Sequence, residues 1–328
     1  MSVVFTRAPM RISLGGGGTD IPSYYREFGG FLVAGAIDQY VYMLTHTVFQ
    51  RRYRLKYSEF EEVDDPSEIR HPILREALRL HWRGSPLEIA SVADIPAGTG
   101  LGSSGSFTVC LLKALALAGR MSTTPHDIAE AACHIEIDVL GEPSGKQDQY
   151  AAAHGGICAY TFNEDDSVDV EPLRLSPETL EGLGDGLLLF YTGQTRSAGD
   201  LLADQDRRTR ALDPEMIANL DRTKEIGYES RRLLESGHLE SYASLMHEHW
   251  VNKRERSVGM TTDRADRIYE VGRANGALGG KLVGAGGGGF VLLYSTDPAA
   301  TRKALNAEGV DEVRFGFDFQ GCVGQESA

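Results

Sequence analysis

Residues 96–105 read PAGTGLGSSG, and they stand between a predicted strand, PLEIASVAD at residues 86–94, and a mostly apolar predicted helix that begins at Ser103. Glycine permits positive φ and lets the backbone approach a ligand closely. At the start of the helix, successive backbone N–H groups and the positive end of the helix dipole would point at an anion. The segment therefore predicts a phosphate-binding site, with the hydroxyl of Ser103 or Ser104 within reach of a magnesium ion. The alternative is that one of the two serines only caps the helix.

Two further glycine clusters, GGGG at residues 15–18 and GAGGGG at residues 284–289, predict either tight turns or ligand cradles. Neither of two commoner phosphate-binding motifs is present. The nearest approach to a Walker A loop, GEPSGKQ at residues 141–147, is one residue short and has Gln147 where the Mg²⁺-binding hydroxyl should be. A Rossmann GxGxxG motif fails because Asp20 occupies the place of the last glycine when the count starts at Gly15. A phosphate would therefore be bound by another scheme.

The composition indicates how such a ligand can be held. The 328 residues, 41% of them hydrophobic, are enough for a large buried core and about two domains. Lys and Arg number 33 against 47 Asp and Glu, and the net charge of -14 would repel polyanions, so we expect no nucleic-acid partner. A phosphorylated ligand must then be bound by local groups such as backbone amides, a metal ion and a few basic side chains.

The sequence predicts neither a cysteine–histidine metal cluster nor a membrane-spanning helix. Four scattered cysteines without a CxxC pair are read as structural: Cys110, Cys133, Cys158 and Cys322. His247 and His249 are read as surface or core residues, because an i, i+2 pair does not share a helix face. The N-terminus, MSVVFTRAPMRISL, lacks the pattern of a signal peptide, and no segment approaches the roughly 18 consecutive apolar residues of a membrane span. The expected location is the cytoplasm.

The order of predicted elements indicates an α+β fold. Residues 3–14, 31–49 and 52–57 read as strands. One helix is predicted over residues 66–82, where Pro72 can split it, and another over residues 125–140 with Ile128, Ala132, Ile135 and Val139 facing inward. The strands fall in uneven groups, unlike the regular alternation of a doubly wound sheet. We expect a domain boundary near residue 185, which divides the chain into residues 1–185 and 186–328.

Three segments together resemble the GHMP kinases, the family that includes galactokinase, homoserine kinase, mevalonate kinase and phosphomevalonate kinase. They are PMRISLGGGGTD at residues 9–20, PAGTGLGSS at residues 96–104 and KLVGAGGGGF at residues 281–290. Many sugar kinases of the family carry Glu and His in the first motif where this chain has Gly17 and Gly18, which argues against galactokinase itself. The GGGTD form, with GEPSGKQDQYAAAHGG and YTGQTRSA, looks like the bacterial D-glycero-D-manno-heptose 7-phosphate kinases, which phosphorylate the anomeric oxygen.

The resemblance implies a two-domain GHMP kinase fold, with an N-terminal mixed β-sheet domain carrying helices and a C-terminal ferredoxin-like α+β domain. It also implies ATP and Mg²⁺ as cofactors. The residues implied in nucleotide binding are Pro96, Gly98, Gly100, Leu101, Gly102, Ser103 and Ser104. The implied Mg²⁺ ligands are the Ser104 hydroxyl and the carboxylate of Glu136, and the apolar neighbours Ile135 and Ile137 argue against the alternative of a solvated surface glutamate.

For phosphoryl transfer, the resemblance implies that Asp148, in GKQDQY, is the catalytic carboxylate that accepts the proton of the attacking hydroxyl. Its alternative is a carboxylate at a helix N-terminus or in a loop. Arg11 resembles the family's basic residue near that aspartate, where a cation keeps the carboxylate ionised. Lys146, two residues before Asp148, is expected to do the same work or to be solvated.

The substrate is expected to meet three segments. Thr19 and Asp20 stand where the family binds the sugar, although Asp20 can instead cap a helix that starts at Ile21. A substrate phosphate is expected to be held by Arg196 and Ser197, because arginine makes bidentate phosphate contacts. Glycines of the third motif, among them Gly286 and Gly287, are expected to let that loop close over the site, and the alternative is a plain turn between strands.

Other functions stay open on the sequence alone. One is another sugar 1-kinase, such as a fucokinase-like enzyme. A second is a non-catalytic GHMP-fold sensor of sugar and ATP, although the joint presence of Arg11, Ser104, Glu136 and Asp148 argues against it. A third is a diphosphomevalonate decarboxylase-like enzyme, which matches the KQDQ context less well. The expected partners are the sugar phosphate and ATP, with a homodimer also considered.

Overall fold

The computed structural model describes residues 3–49, 51–195 and 199–327. Within these ranges the strands form two separate sheets, one of eight strands and one of four. The strands are β1 (Val3–Gly15), β2 (Gly30–Thr47), β3 (Tyr53–Lys56), β4 (Phe60–Val63), β5 (Leu87–Ala93), β6 (Ile157–Phe162), β7 (Val168–Pro172), β8 (Leu187–Tyr191), β9 (Ala277–Leu282), β10 (Phe290–Ser295), β11 (Glu312–Val313) and β12 (Val323–Glu326).

The long strand β2 organises the larger sheet. The path of this sheet is β12-β1-β2-β5-β3-β4, and β6 and then β7 continue from β2. One half of β2 pairs with β5 over residues 41–47, and the other half pairs with β6 over residues 30–35, so a single strand holds two neighbours in line. The pairs are antiparallel except β3 with β5. The smaller sheet has the order β11-β8-β10-β9 and is antiparallel throughout.

Helices pack against both sheets. Their bounds are α1 (Pro22–Phe28), α2 (Pro72–His81), α3 (Ser103–Ala118), α4 (Pro125–Cys133), α5 (Gln147–His154), α6 (Pro177–Gly186), α7 (Gly199–Arg210), α8 (Pro214–Glu235), α9 (Leu239–Arg256), α10 (Asp263–Ala274) and α11 (Pro298–Ala307). Helix α3 is apolar on nearly every side and lies in the largest core cluster, between β1, β2 and α5. An all-round apolar helix must be buried, and its burial fixes the direction in which its N-terminus points.

The predicted α+β class is confirmed, and the local signals located most elements. Pro72 does split the helix predicted over residues 66–82, into a 3₁₀ turn (Pro66–Glu68) and α2. Helix α6 was not predicted. The helix predicted over residues 125–140 changes character after α4, because residues His134–Val139 form a π-helical turn in which the Leu140 N–H bonds to the Ile135 carbonyl, five residues back.

The change of sheet falls close to the expected domain boundary. Strands β1 to β7 belong to the larger sheet, and the smaller sheet begins with β8 at Leu187. The last strand, β12, returns to the larger sheet and pairs with β1, which a single division at residue 185 does not anticipate. None of the helices in the described ranges is both long and apolar enough to cross a membrane.

Candidate functional site

A cleft collects residues from both halves of the chain. The residues that line it are Arg11, Ser13, Gly17, Gly18, Asp20, Ile21, Gly98, Gly100, Gly102, Ser103, Ser104, Ser144, Gly145, Gln147, Asp148, Leu201, Leu202, Gln205, His249, Lys253, Arg256, Met260, Lys281, Leu282, Gly284 and Ala285. All three glycine clusters of the sequence contribute to this list. The fold therefore brings into one place segments that are more than 180 residues apart along the chain.

The N-terminus of α3 opens into the cleft. The residue before the helix is Gly102, whose φ of 78° is left-handed, and no side chain caps the first turn. The first backbone N–H groups of α3 are thus left for a ligand, and the helix dipole favours an anion there. Because neither serine acts as the cap, the alternative reading of Ser103 and Ser104 as capping residues is wrong.

Ser104 and Glu136 form a hydrogen-bonded pair beside this helix end. The Ser104 hydroxyl donates to Glu136 Oε2 at 2.7 Å, and Gln149 Nε2 donates to Oε1 at 3.1 Å. Glu136 is only 4% exposed, and burial raises the pKa of its carboxyl, an effect that the hydrogen bonds from Ser104 and Gln149 oppose. A buried carboxylate that receives only neutral donors here can accept a cation, and its oxygen and the serine hydroxyl are ligands of the kind Mg²⁺ prefers.

Glu136 faces inward because it continues the buried face of α4, three residues after Cys133 and seven after Ala129, both of which are buried. The π-helical turn acts further along the chain. Val139, which was predicted to face inward with Ile135, is 40% exposed. No cluster of three or more His, Cys, Asp or Glu side chains within the described residues is arranged to hold a metal. A Mg²⁺ ion at Glu136 would therefore share its remaining positions with phosphate oxygens and water.

Arg11 holds Asp148 in the cleft. Arg11 Nε and Nη2 lie 2.8 and 2.6 Å from Asp148 Oδ1, and Arg11 Nη1 donates to the Gly100 carbonyl at 2.6 Å. The Arg11 side chain is 5% exposed, whereas that of Asp148 is 27% exposed. The guanidinium thus fixes one carboxylate oxygen and ties it to the glycine loop. The second oxygen, Oδ2, makes no hydrogen bond to the described residues and can meet a ligand.

Asp20 lines the cleft, but Thr19 does not. Asp20 accepts hydrogen bonds from the backbone N–H groups of Gly18 and Gln147, both at 3.1 Å, so it does not cap α1 as the alternative reading had it. Burial raises the pKa of its carboxyl. The Thr19 hydroxyl is fully buried, donates to the carbonyls of Gly16 and Phe31 at 2.9 Å and accepts from the Phe31 N–H at 3.1 Å. The prediction that Thr19 contacts the substrate is wrong, because its hydroxyl fastens the loop to β2.

Lys146 points away from Asp148. Its ammonium donates to the Asp166 carbonyl at 2.8 Å, lies 3.8 Å from Glu130 and stands over the ring of Tyr25. It is 6% exposed and is absent from the cleft lining. Lys146 is not solvated, and it makes no contact with Asp148 that would support the catalytic role expected for it, because two helical positions turn the side-chain direction by about 200°.

The third glycine motif reaches the cleft at a different point from the one expected. Gly284 and Ala285 line the cleft, whereas Gly286 and Gly287 do not. A Cβ on Gly286 would lie 2.4 Å from Met260 Sδ, and the Gly287 N–H donates to the Met260 carbonyl at 3.0 Å. The wall of the cleft is thus formed by Gly284 and Ala285, and the expected contact of Gly286 and Gly287 with substrate stays a prediction. These glycines permit close packing against the segment after α9.

Two of the predicted nucleotide-binding residues support the loop from outside the cleft. Leu101 is fully buried, and its carbonyl accepts from the Arg11 N–H at 3.0 Å, while the Pro96 carbonyl accepts from the Thr99 hydroxyl at 3.0 Å. Gly98, Gly100, Gly102, Ser103 and Ser104 line the cleft as expected. The two residues predicted to hold a substrate phosphate, Arg196 and Ser197, lie outside the described residues.

The sequence interpretation missed four basic residues that line the cleft: His249, Lys253, Arg256 and Lys281. We call these residues the basic cluster. The first three lie on one face of α9 at positions i, i+4 and i+7, and the fourth lies on the neighbouring strand β9. Helical spacing in the stretch HWVNKRER was the available signal. It was missed because His249 was compared only with His247.

An open helix N-terminus, a buried acid–hydroxyl pair and an arginine-held carboxylate in one cleft are the parts that a kinase of small molecules requires. The chain belongs to the GHMP kinases, because the family models described as GHMP kinases N terminal domain and GHMP kinases C terminal match residues 71–156 and 230–311. The prediction of a phosphotransferase with this two-domain fold is thereby confirmed.

Similar proteins refine the comparison. A D-glycero-alpha-D-manno-heptose 7-phosphate kinase of Campylobacter jejuni is 28% identical over 320 residues, which cover 94% of this chain and 93% of the relative. A bifunctional fucokinase/GDP-fucose pyrophosphorylase of Arabidopsis thaliana is 26% identical over 90% of this chain and 30% of its own length. The crystal structure of a D-glycero-D-manno-heptose 1-phosphate kinase from Bacteroides thetaiotaomicron superposes with a TM-score of 0.81, covers 99% of each chain at 24% identity, and supports the fold.

Proposed function

We propose that the protein is an ATP- and Mg²⁺-dependent sugar kinase that transfers the γ-phosphoryl group to the anomeric hydroxyl of a heptose 7-phosphate and so makes the heptose 1,7-bisphosphate. The observation that carries the proposal is the Asp148 carboxylate, held by Arg11 in the same cleft as the open N-terminus of α3. Similarity to a heptose 7-phosphate kinase over nearly the whole chain supports the choice of sugar. The proposed location is the cytoplasm, and a homodimer stays a prediction.

The residues of the chain divide the work of the reaction. The N–H groups at the start of α3 bind nucleotide phosphates, and Ser104 with Glu136 holds the metal ion. When bound, Mg²⁺ neutralises charge on the phosphates. Asp148 orients the attacking sugar hydroxyl through Oδ2 and accepts its proton as the new P–O bond forms. Arg11 holds Asp148 in place through two contacts to Oδ1.

The sugar is proposed to lie between Asp148 and the loop that contains Asp20. That loop reaches the cleft through Gly17, Gly18 and Asp20, and the absence of side chains at the two glycines leaves room for a sugar ring. Asp20 is placed to accept hydrogen bonds from ring hydroxyls. Arg196 and Ser197 remain proposed contacts of the substrate phosphate.

The test measures Mg²⁺-dependent ADP release with a panel of acceptors: D-glycero-D-manno-heptose 7-phosphate, sedoheptulose 7-phosphate, mannose, fucose and galactose. We expect turnover with D-glycero-D-manno-heptose 7-phosphate and with none of the other acceptors. Asp148→Asn should lower kcat by about 100- to 10,000-fold, the usual contribution of general acid–base catalysis. The matched control is Asp165→Asn, since Asp165 lies on an exposed turn between β6 and β7 and does not line the cleft.

The results separate the parts of the proposal. Turnover on a free sugar such as fucose, lost in Asp148→Asn, would keep the mechanism and replace the substrate with that of a fucokinase-like enzyme. Full activity of Asp148→Asn on the heptose phosphate would refute the role of Asp148.

A further inference from the structure

The basic cluster buries positive charge in the wall of the cleft. His249, Lys253, Arg256 and Lys281 are 1, 6, 4 and 2% exposed. None of the three cations forms an ion pair with a carboxylate within the described residues. An isolated buried charge is strongly unfavourable because it loses its hydration, and proteins therefore pair such charges with counter-charges or with ligands.

The two lysines bond only to neutral groups. Lys253 Nζ donates to the carbonyls of Leu282 at 3.0 Å and Gly284 at 2.5 Å. Lys281 Nζ lies 3.2 Å from His249 Nδ1. An ammonium has three N–H donors, so Lys253 keeps one and Lys281 keeps two for a ligand. His249 Nε2 is also buried and has no hydrogen-bond partner among the described residues.

Arg256 follows the same pattern. Its guanidinium donates to Asn219 Oδ1 at 3.0 Å, to Thr223 Oγ1 at 2.8 Å and to Gln205 Oε1 at 3.4 Å, all of them neutral acceptors. Two of its five N–H donors remain. Burial lowers the pKa of Arg256 to about 10, although the charge of Asp20 opposes this effect, and burial lowers the pKa of Lys281 to about 7.

We propose that the basic cluster binds the phosphoryl group of a phosphate-monoester substrate, and this inference rests on the proposed sugar kinase function. A phosphate dianion supplies the missing negative charge. Its three oxygens accept several hydrogen bonds at once, which matches the unused donors of Lys281, Lys253 and Arg256 together with His249 Nε2. None of these residues is among those predicted from the sequence to hold the substrate phosphate, Arg196 and Ser197.

The position of Arg256 indicates the substrate and not the nucleotide as the source of this phosphate. Arg256 Nη1 lies so close to Gly18 that a side chain at Gly18 would overlap it. The Gln205 side chain joins the two residues, because it donates to the Gly18 carbonyl and accepts from Arg256. Gly18 belongs to the loop that carries Asp20, the proposed sugar contact. The nucleotide phosphates have their own site at α3, with Ser104 and Glu136 beside it.

The primary test replaces Lys281 with methionine, which keeps the length of the side chain and removes the charge. Calorimetry in phosphate-free buffer measures the Kd of three probes on the full chain: D-glycero-D-manno-heptose 7-phosphate, the same heptose without phosphate, and MgATP. We expect Lys281→Met to raise the Kd of the heptose phosphate by about 10- to 100-fold, the range for the loss of hydrogen bonds to charged groups. The Kd values of the free heptose and of MgATP should stay within about threefold of those of the wild type. The control is Lys303→Met, since Lys303 is exposed on α11 and lies outside the cleft.

A second variant keeps the inference testable if Lys281→Met does not fold. In His249→Asn, the asparagine oxygen can replace Nδ1 as the acceptor for Lys281, and only Nε2 is lost. We expect about three- to tenfold weaker binding of the heptose phosphate. If the cluster had only a structural role, both variants would have a lower Tm, and the Kd values of the phosphorylated and the free sugar would change by the same factor.

The outcomes distinguish this inference from the function on which it rests. Turnover of heptose 7-phosphate that is unchanged in both variants would overturn the inference and leave the function standing. A loss of MgATP affinity in Lys281→Met would assign the cluster to the nucleotide and also overturn it. Turnover of a different sugar phosphate that depends on Lys281 would support the inference while replacing the heptose. Equal wild-type affinity for the free and phosphorylated sugar would overturn it.

Discussion

Binding of the sugar phosphate should draw a proton from solution onto Lys281. Burial, together with the positive charges of Arg11 and Arg256, holds the pKa of Lys281 at about 7. The other groups that face it are His249, whose Nδ1 it contacts, and Lys253, whose own pKa is lowered by burial and by Lys281. At about pH 8, Lys281 is then roughly 10% protonated, and a bound dianion favours its charged form.

The expected number of protons taken up on binding follows from this pKa. At about pH 8, where a phosphate monoester is already a dianion, full protonation of Lys281 requires about 0.9 proton per ligand bound, and at about pH 7 it requires about 0.5. Lys253 can only add to this number. Because the unfolded-state pKa of lysine lies near 10.4, the free protein loses stability through Lys281 as pH falls from about 10.4 to about 7. Lys281→Met should therefore be no less stable than wild type without ligand.

Calorimetric titrations at about pH 8 in two buffers of different ionisation enthalpy give the number of protons from the difference in observed heat. Lys281→Met should take up about 0.9 proton fewer than wild type, and Lys303→Met should match wild type. A wild-type uptake below about 0.2 proton, or the same uptake in Lys281→Met, would refute the reasoning.

Three further predictions concern the rest of the site. Glu136→Gln should lower kcat by about 100-fold and weaken the Mg²⁺ dependence of nucleotide binding, because the metal loses its carboxylate; titration of activity with Mg²⁺ checks this. Lys146→Met should lower stability by about 1–2 kcal/mol and change kcat less than about threefold, since its ammonium bonds to Asp166; a large kcat loss with normal unfolding would contradict the structure. Gly102→Ala should cost about 1–2 kcal/mol, because alanine is strained at a φ of 78° and its Cβ would lie 3.1 Å from Asp148 Cγ; denaturant unfolding with kcat measurement tests both effects.

Local signals made much of the fold and of the nucleotide side of the site predictable. The glycine loop before α3, the break at Pro72 and the alternating strands all depend on backbone preferences that a few neighbouring residues set. The assignments of Arg11 and Asp148 came from the family resemblance, and the structure brings the two side chains together. The errors at Thr19 and Lys146 share one cause. A sequence shows which residues are near a motif, but not which way each side chain points.

The class of fold, the three glycine motifs and the family can be read from the sequence alone. The fold was needed to show that Glu136 meets Ser104, 32 residues earlier in the chain, and that α9 and β9 bring three cations and a histidine into the same cleft. Local patterns could not show this, because the charge balance of a buried site depends on the packing of distant elements. Lys281 reads as an ordinary lysine until the structure shows it buried and without a carboxylate among the described residues, and that condition makes it a candidate ligand for phosphate.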